Sequence, residues 1–443
     1  MIEAKTSDSI LRSNPGRRSV LDQKRRQNRP AEAACGDGAL LGRKLVTAKA
    51  GGRKKLGCVT LACLLSVLTL FAADRNVTAD KTVSEVLEPI LRAQNLPALA
   101  GAIVTGKGLA AIGAVGVRKA GTDIAVTIDD KWHLGSDTKA MTAAMIGALV
   151  EQGKLTWETT IGQVFSDRAR PLAPALQKVT LLQLLSHRSG LPANIPWDFV
   201  PKTLSTREQR LFVLKSLASV KLMAEPGAQY LYSNLGYVVA AAMAEAAADD
   251  SWENLMTRTI FEPLGMTSVG YGGLGTPGHV DQPWAHLPNG KPVAGNGPDW
   301  DNPPVMGPAG RVHCTLGDWA KFIADQLHGA RGEKALLKTE TYRKLQTPPF
   351  GGDYAPGWLV AERSWGGGTV LTHAGSNTMN FAVVWVAPLR DFAVLVVTNQ
   401  GGPTAAKACD EAAAALIGLY QKEEEKRNSL SPTRPGRSSC PLP

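Results

Sequence analysis

Cysteine and histidine are scarce in this chain, with six and seven in 443 residues. The histidines (133, 187, 279, 286, 313, 328 and 373) form no His-x-His or His-x-x-x-His pair, and no Cys-x-x-Cys occurs. The usual zinc spacings are therefore missing, and no metal site is expected. A Walker phosphate loop and a dinucleotide fingerprint are missing too, so no cofactor is expected. Beyond residue 73 only Cys314, Cys409 and Cys440 remain, an odd and sparse set that supplies no disulfide framework. No internal repeat is visible.

A broad basic surface is lacking as well. The net charge is +10, but residues 1–55 hold fourteen Lys/Arg against five Asp/Glu and account for +9 of it. The remainder is close to neutral, which argues against a nucleic-acid partner. Residues 1–55 read as a basic disordered leader or an over-extended start, with translation expected to begin near residue 45. Arg53-Lys54-Lys55 then precedes an apolar run from Leu56 to Ala73, the pattern of a signal peptide or a membrane anchor. The body is expected to be exported, to the periplasm or the extracellular space. Residues 425–443 are polar and rich in Pro and Ser, the composition of a disordered tail.

What is present is a serine beside an amine in an apolar setting. Residues 135–139 read Gly-Ser-Asp-Thr-Lys and lead into AMTAAMIGALVEQGKL, with Gly153 as the helix stop. Helix positions three apart share a face, so the Ser136 hydroxyl and the Lys139 amine can meet. A helix apolar all round is buried, and burial favours the neutral, proton-accepting amine. The helix N-terminus adds N–H groups and a positive dipole end beside the reacting oxygen. Together these make an activated serine nucleophile. Alone, the same pattern also fits an N-capping serine and a solvated lysine.

Two further segments decide between those readings. Tyr-Leu-Tyr-Ser-Asn-Leu-Gly-Tyr spans residues 230–237, and Leu-Thr-His-Ala-Gly-Ser-Asn spans 371–377 between two β-rich runs. Ser136-x-x-Lys139, Tyr232-Ser233-Asn234 and His373-Ala374-Gly375 follow the order and spacing of the serine β-lactamase and penicillin-binding-protein superfamily. The chain resembles its class C-like branch, which also holds D,D-carboxypeptidases, D-aminopeptidases and esterases. The resemblance extends over residues 82–420. VTLLQLLSHRSGLP (179–192), FEPLGMTSVGYG (261–272), PAGRVHCTLGDWAKF (308–322) and Tyr354 to Trp358 are similar to further landmarks of the family.

The resemblance implies an α/β (α+β) β-lactamase-like fold over residues 82–424. An antiparallel sheet flanked by helices should join a mainly helical subdomain, with the active site in the cleft between them. The sequence itself marks a hairpin over 99–117, β-rich runs at 368–375, 380–387 and 392–399, and a helix over 403–424. The Trp/Pro/Gly-rich loop of residues 283–308 is a candidate pocket rim.

For the site, the resemblance implies that Ser136 forms a covalent acyl-enzyme. Lys139 is then the first candidate base and Tyr232 the second, the two titrating as a unit. Asn234 would hold Lys139 and the substrate's acyl side-chain amide. The N–H groups of Ser136 and Ser376 would form the oxyanion hole, with Gly375 admitting the substrate backbone. His187 is expected to be a structural landmark, not part of a Ser–His–Asp triad. His373 stands where the β-lactamases carry lysine, so a permanent cation is exchanged for a group charged only at low pH. Ala374 also removes a hydroxyl. These departures weaken the case for penicillin hydrolysis, and activity should change near the imidazole pKa if His373 binds an anion. The implied function is an exported serine hydrolase acting on an ester, a D-amino-acid peptide or a β-lactam. A carboxylesterase without peptidase activity and a non-catalytic binding protein on the same fold are the alternatives.

Overall fold

The computed structural model describes residues 79–165 and 172–430. The leader, the apolar run and residues 431–443 lie outside the described residues. Among the described residues, the strands are β1 (Ala98–Thr105), β2 (Gly108–Gly116), β3 (Lys131–His133), β4 (Gly270–Tyr271), β5 (Val312–Thr315), β6 (Tyr354–Ala355), β7 (Trp358–Arg363), β8 (Gly368–Ser376), β9 (Phe381–Ala387) and β10 (Phe392–Thr398). Seven of them form one antiparallel sheet in the order β2-β1-β10-β9-β8-β7-β6, and β3, β5 and β4 form a second.

The β10 sequence FAVLVVT does not alternate between apolar and polar residues, because both faces of the large sheet are covered. Phe392, Val394 and Val396 pack with Leu99 and Ile103 against the Lys81–Ala93 helix and the Pro403–Leu430 helix. Ala393, Leu395 and Val397 face the other way, into the core built around the Thr138–Glu151 helix. That second core holds Met141, Met145, Trp319 and Phe322, and it is where the site lies.

The Thr138–Glu151 helix is buried on every side except its last turns, as its all-round apolar sequence requires. Thr142 Oγ1 donates to the Pro308 carbonyl at 2.9 Å, which satisfies one of its few polar groups. The Asn234–Ala248 helix packs beside it and starts at Ser233, whose Oγ accepts the N–H of Gly236 at 2.9 Å as an N-cap.

The residues between β3 and β7 are mainly helical, as expected of the subdomain, and carry the short strands β4 to β6, two to four residues long. One sequence expectation changes here. The last helix runs on through Leu430 and takes up the first six residues assigned to a tail, where Lys and Glu favour helix over coil. No described helix is long and apolar enough to cross a membrane.

Candidate active site

Ser136 lies in a 3-10 turn, Gly135–Asp137, that feeds directly into the Thr138–Glu151 helix. Lys139 in the first helical turn is fully buried, while Ser136 keeps partial exposure. Lys139 Nζ is 3.0 Å from Ser136 Oγ, 2.9 Å from Asn234 Oδ1 and 2.5 Å from the Ala309 carbonyl oxygen. The last two are pure acceptors, so they take two amine hydrogens. The third position of the nitrogen points at Ser136. Burial lowers the Lys139 pKa well below the usual lysine range, a shift only partly opposed by Asp137. The lone pair of the neutral amine is therefore directed at the Ser136 hydroxyl proton.

Tyr232 completes the contact from the other side, with its hydroxyl 2.7 Å from Ser136 Oγ. Burial raises the Tyr232 pKa, and neither the Ser136 bond nor nearby charge reverses the shift. The phenol therefore keeps its proton and donates to Ser136 Oγ, which leaves the serine proton to face Lys139. Tyr232 as an alternative base, offered by the sequence, does not fit this environment. A low-dielectric pocket next to an uncharged lysine disfavours a phenolate. Lys139 Nζ also sits 4.9 Å from the centre of the Tyr232 ring.

Asn234 occupies the first turn of its helix, with Oδ1 on Lys139 and Nδ2 donating to Asn194 Oδ1 at 3.1 Å. Half of its donor capacity is thus already used inside the protein. His187 is buried and its ring packs at a tilt against that of Tyr232, with centroids 4.4 Å apart. Its Nδ1 accepts the N–H of Ser233 at 3.0 Å, between the two motif residues. It is a support for Tyr232 rather than a partner of Ser136, in line with its expected structural role.

The β8 segment comes next. The ladder between β7 and β8 ends at Thr372, whereas β9 pairs through Ser376, so residues 373–376 keep one edge without a paired strand among the described residues. Ala374 and Ser376 are exposed along it. Gly375 serves a purpose the sequence did not suggest. A Cβ at that position would lie 1.9 Å from the Leu134 carbonyl oxygen and 2.7 Å from Ser136 N, so the glycine admits the nucleophile turn itself. Reciprocally, Gly135 (φ +51°) brings its backbone so close that a Cβ there would be 2.3 Å from Ser376 N. The amides of Ser136 and Ser376 are thereby held next to each other.

His373 belongs to the same segment. Its side chain is buried, its Nε2 is 3.0 Å from the Tyr354 hydroxyl, and its Nδ1 is 2.9 Å from the Ala374 carbonyl. Burial pushes its pKa down to about 3. The ring is neutral throughout the physiological range and supplies no cation, so the condition for a switch near the ordinary imidazole pKa, an anion bound by His373, is not favoured.

Several site residues escaped the sequence reading. The Ala309 carbonyl, from the Pro-Ala-Gly-Arg turn, is the third partner of Lys139. Asp137 is buried with both carboxyl oxygens free of hydrogen bonds, and burial raises its pKa well above the carboxylate range. The Asp301 side chain, in the loop expected to rim the pocket, is enclosed and bonds His133, Arg311 and Asn377. Burial alone would raise its carboxyl, but His133, Arg311 and Asn377 hold it down to about 2. Among the described residues no group of His, Cys, Asp and Glu is placed to hold a metal ion.

A serine hydroxyl aimed at a buried neutral amine, on a helix docked to an antiparallel sheet, defines the class of active-site serine hydrolases. Comparison with known proteins agrees. The Beta-lactamase family profile matches residues 80–419, and the chain belongs to that family. It is 27% identical over 315 residues to penicillin-binding protein 4 of Amycolatopsis lactamdurans, covering 66% of this chain and 78% of that protein. It is 26% identical over 307 residues to the Escherichia coli K12 D-alanyl-D-alanine-carboxypeptidase/endopeptidase AmpH, covering 62% and 76%. A shorter match, 26% identical over 220 residues, joins 47% of the chain to 38% of the unguisins hydrolase of Aspergillus violaceofuscus. The octameric penicillin-binding protein homologue from Pyrococcus abyssi shares the fold, with a TM-score of 0.62, 21% identity and coverage of 78% of this chain and 81% of that one. The chain is a serine hydrolase of the β-lactamase family.

Proposed function

We propose that this chain is an exported hydrolase that opens an ester or amide bond through an acyl-enzyme on Ser136, and that it favours substrates without a carboxylate beside the scissile bond. The contact of Ser136 Oγ with both Lys139 Nζ and Tyr232 Oη carries the chemistry. Ser136 attacks the acyl carbon as its proton passes to Lys139. The N–H groups of Ser136 and Ser376 receive the oxyanion. Tyr232 gives its proton to the leaving group and recovers one from Lys139, and the leaving group departs. Water then hydrolyses the acyl-enzyme by the same route and frees the acid. The unpaired edge of residues 373–376 offers backbone groups to an extended substrate.

The preference for a neutral substrate rests on His373. His373 is buried and uncharged and Ala374 is exposed beside it, so these two positions supply neither cation nor hydroxyl to a carboxylate. The names of the first two relatives favour a second reading, a D,D-carboxypeptidase.

Intact-protein mass spectrometry of the full chain separates the readings, using benzylpenicillin and p-nitrophenyl butyrate. Ester turnover without a lasting penicilloyl adduct supports the neutral-substrate reading. A stable adduct on Ser136, together with turnover of a D-Ala-D-Ala peptide, supports the carboxypeptidase. Acylation that persists in Ser136→Ala would sink both.

A further inference from the structure

Asp301 links three separate segments of the chain. Its Oδ2 accepts from His133 Nε2–H at 2.9 Å and from Arg311 Nε–H at 3.2 Å, and its Oδ1 accepts from Asn377 Nδ2–H at 2.8 Å. His133 ends β3, Arg311 precedes β5, and Asn377 begins the turn between β8 and β9. The carboxylate is fully enclosed, and His133 and Arg311 are nearly so.

Two of these partners reach the reacting groups. His133 Nδ1 accepts the N–H of Gly135 at 3.1 Å, next to Ser136 in the chain. Accepting there requires the Nδ1 lone pair, so the hydrogen sits on Nε2 and points at Asp301. Asn377 follows Ser376, and its Oδ1 accepts the N–H groups of Met379 and Asn380 at 3.2 and 2.9 Å. Each thus donates one N–H to Asp301 and accepts backbone N–H at its other polar atom, so neither Asn377 nor His133 is left free to turn.

We infer that Asp301 is a positioning residue that sets the distance between the Ser136 and Ser376 amides, acting through His133 on one and Asn377 on the other. The inference rests on the proposal above that these two amides hold the oxyanion. A carboxylate suits the task because three donors converge on it. An asparagine in its place must turn an NH2 toward at least one of them. An oxyanion hole works only when both donors lie within hydrogen-bond reach of the developing charge, so a small drift of one costs rate rather than substrate binding.

The test measures acylation by p-nitrophenyl butyrate in the full chain, with Ser136→Ala as the control. Losing an oxyanion donor outright costs about 100- to 1,000-fold in rate, so Asp301→Asn should slow acylation about 10- to 100-fold. KM should stay near the wild-type value. His133→Asn places an amide oxygen where Nδ1 accepts the Gly135 N–H, so it should acylate faster than His133→Ala although both lose the Asp301 bond. A purely structural role would lower the melting temperature of both His133 variants and leave their rates equal below the transition. Wild-type acylation in Asp301→Asn, or a loss confined to KM, overturns the inference. Should Asp301→Asn fail to fold, equal rates for the two His133 variants overturn it. Hydrolysis that survives Ser136→Ala overturns the underlying assignment of the nucleophile instead.

Discussion

Lys139 is held in the neutral form by burial and aimed at Ser136 by two acceptors, Asn234 Oδ1 and the Ala309 carbonyl. Lys139→Met keeps the apolar stem and removes the base. Proton transfer of this kind is worth about 100- to 10,000-fold, so kcat/KM should fall within that range in single-turnover assays. The pH profile is a separate check. The reactive lysine is the unprotonated one, so activity should decline as acid protonates it, at a pH well below the ordinary lysine range. His373 titrates near 3 and contributes no inflection between pH 5 and 8. An inflection near 6.5 that disappears in His373→Gln would contradict its neutral placement. The serine, the lysine, Tyr232 and Asn234 were legible in the sequence because reactive residue types recur there at fixed spacing. Ala309 and Asp301 were not. One acts through a backbone carbonyl that any residue carries, and the other joins Arg311 nearby to His133 and Asn377, which lie 168 and 76 positions away, with no periodic trace.

At the level of elements, the Thr206–Ser216, Asn234–Ala248 and Trp252–Met256 helices are tied together by an ion cluster around Arg210. Arg210 is fully buried. It contacts Glu245 Oε1 at 2.6 Å and Glu253 Oε2 at 2.7 Å, and Glu245 also accepts the Trp252 N–H at 2.8 Å. Removing one partner of such a cluster strands the others, so Arg210→Ala should cost about 3–5 kcal/mol in urea unfolding. The core of Trp252 and Met256 lies against the Thr138–Glu151 helix, so folded Arg210→Ala should retain the chemistry at reduced stability. The long strands β1, β2, β8, β9 and β10 were readable as apolar runs with turn residues between them, and they fall within a residue or so of expectation. β3 to β6 were not, because strands of two to four residues are set by contact with β5 or β7 rather than by their own pattern.

For the molecule as a whole, buried neutral histidines make stability sensitive to acid. Burial lowers the pKa of His373 from 6.5 to about 3 and that of His313 from 6.5 to about 4. The unfolded chain takes up those protons below pH 6.5 while the folded one does not, so the melting temperature should fall steadily from pH 6.5 to 4. His373→Gln should flatten that slope, and an unchanged slope would show that the ring is already protonated in the fold. The general architecture was legible because motif order carries it. The pairing of the first strand with the last was not, since it depends on the register of Leu99 opposite Thr398, three hundred residues on.

That pairing has a consequence during synthesis. β1 is among the first parts of the body to leave the ribosome, yet its neighbour β10 is among the last. The strand that steadies the serine turn, β8, is also late. Until then the apolar helix bearing Lys139 has no sheet to dock on. A nascent chain should therefore be inert toward acylating reagents until nearly all of it has emerged, which keeps the hydrolytic centre silent before folding is complete.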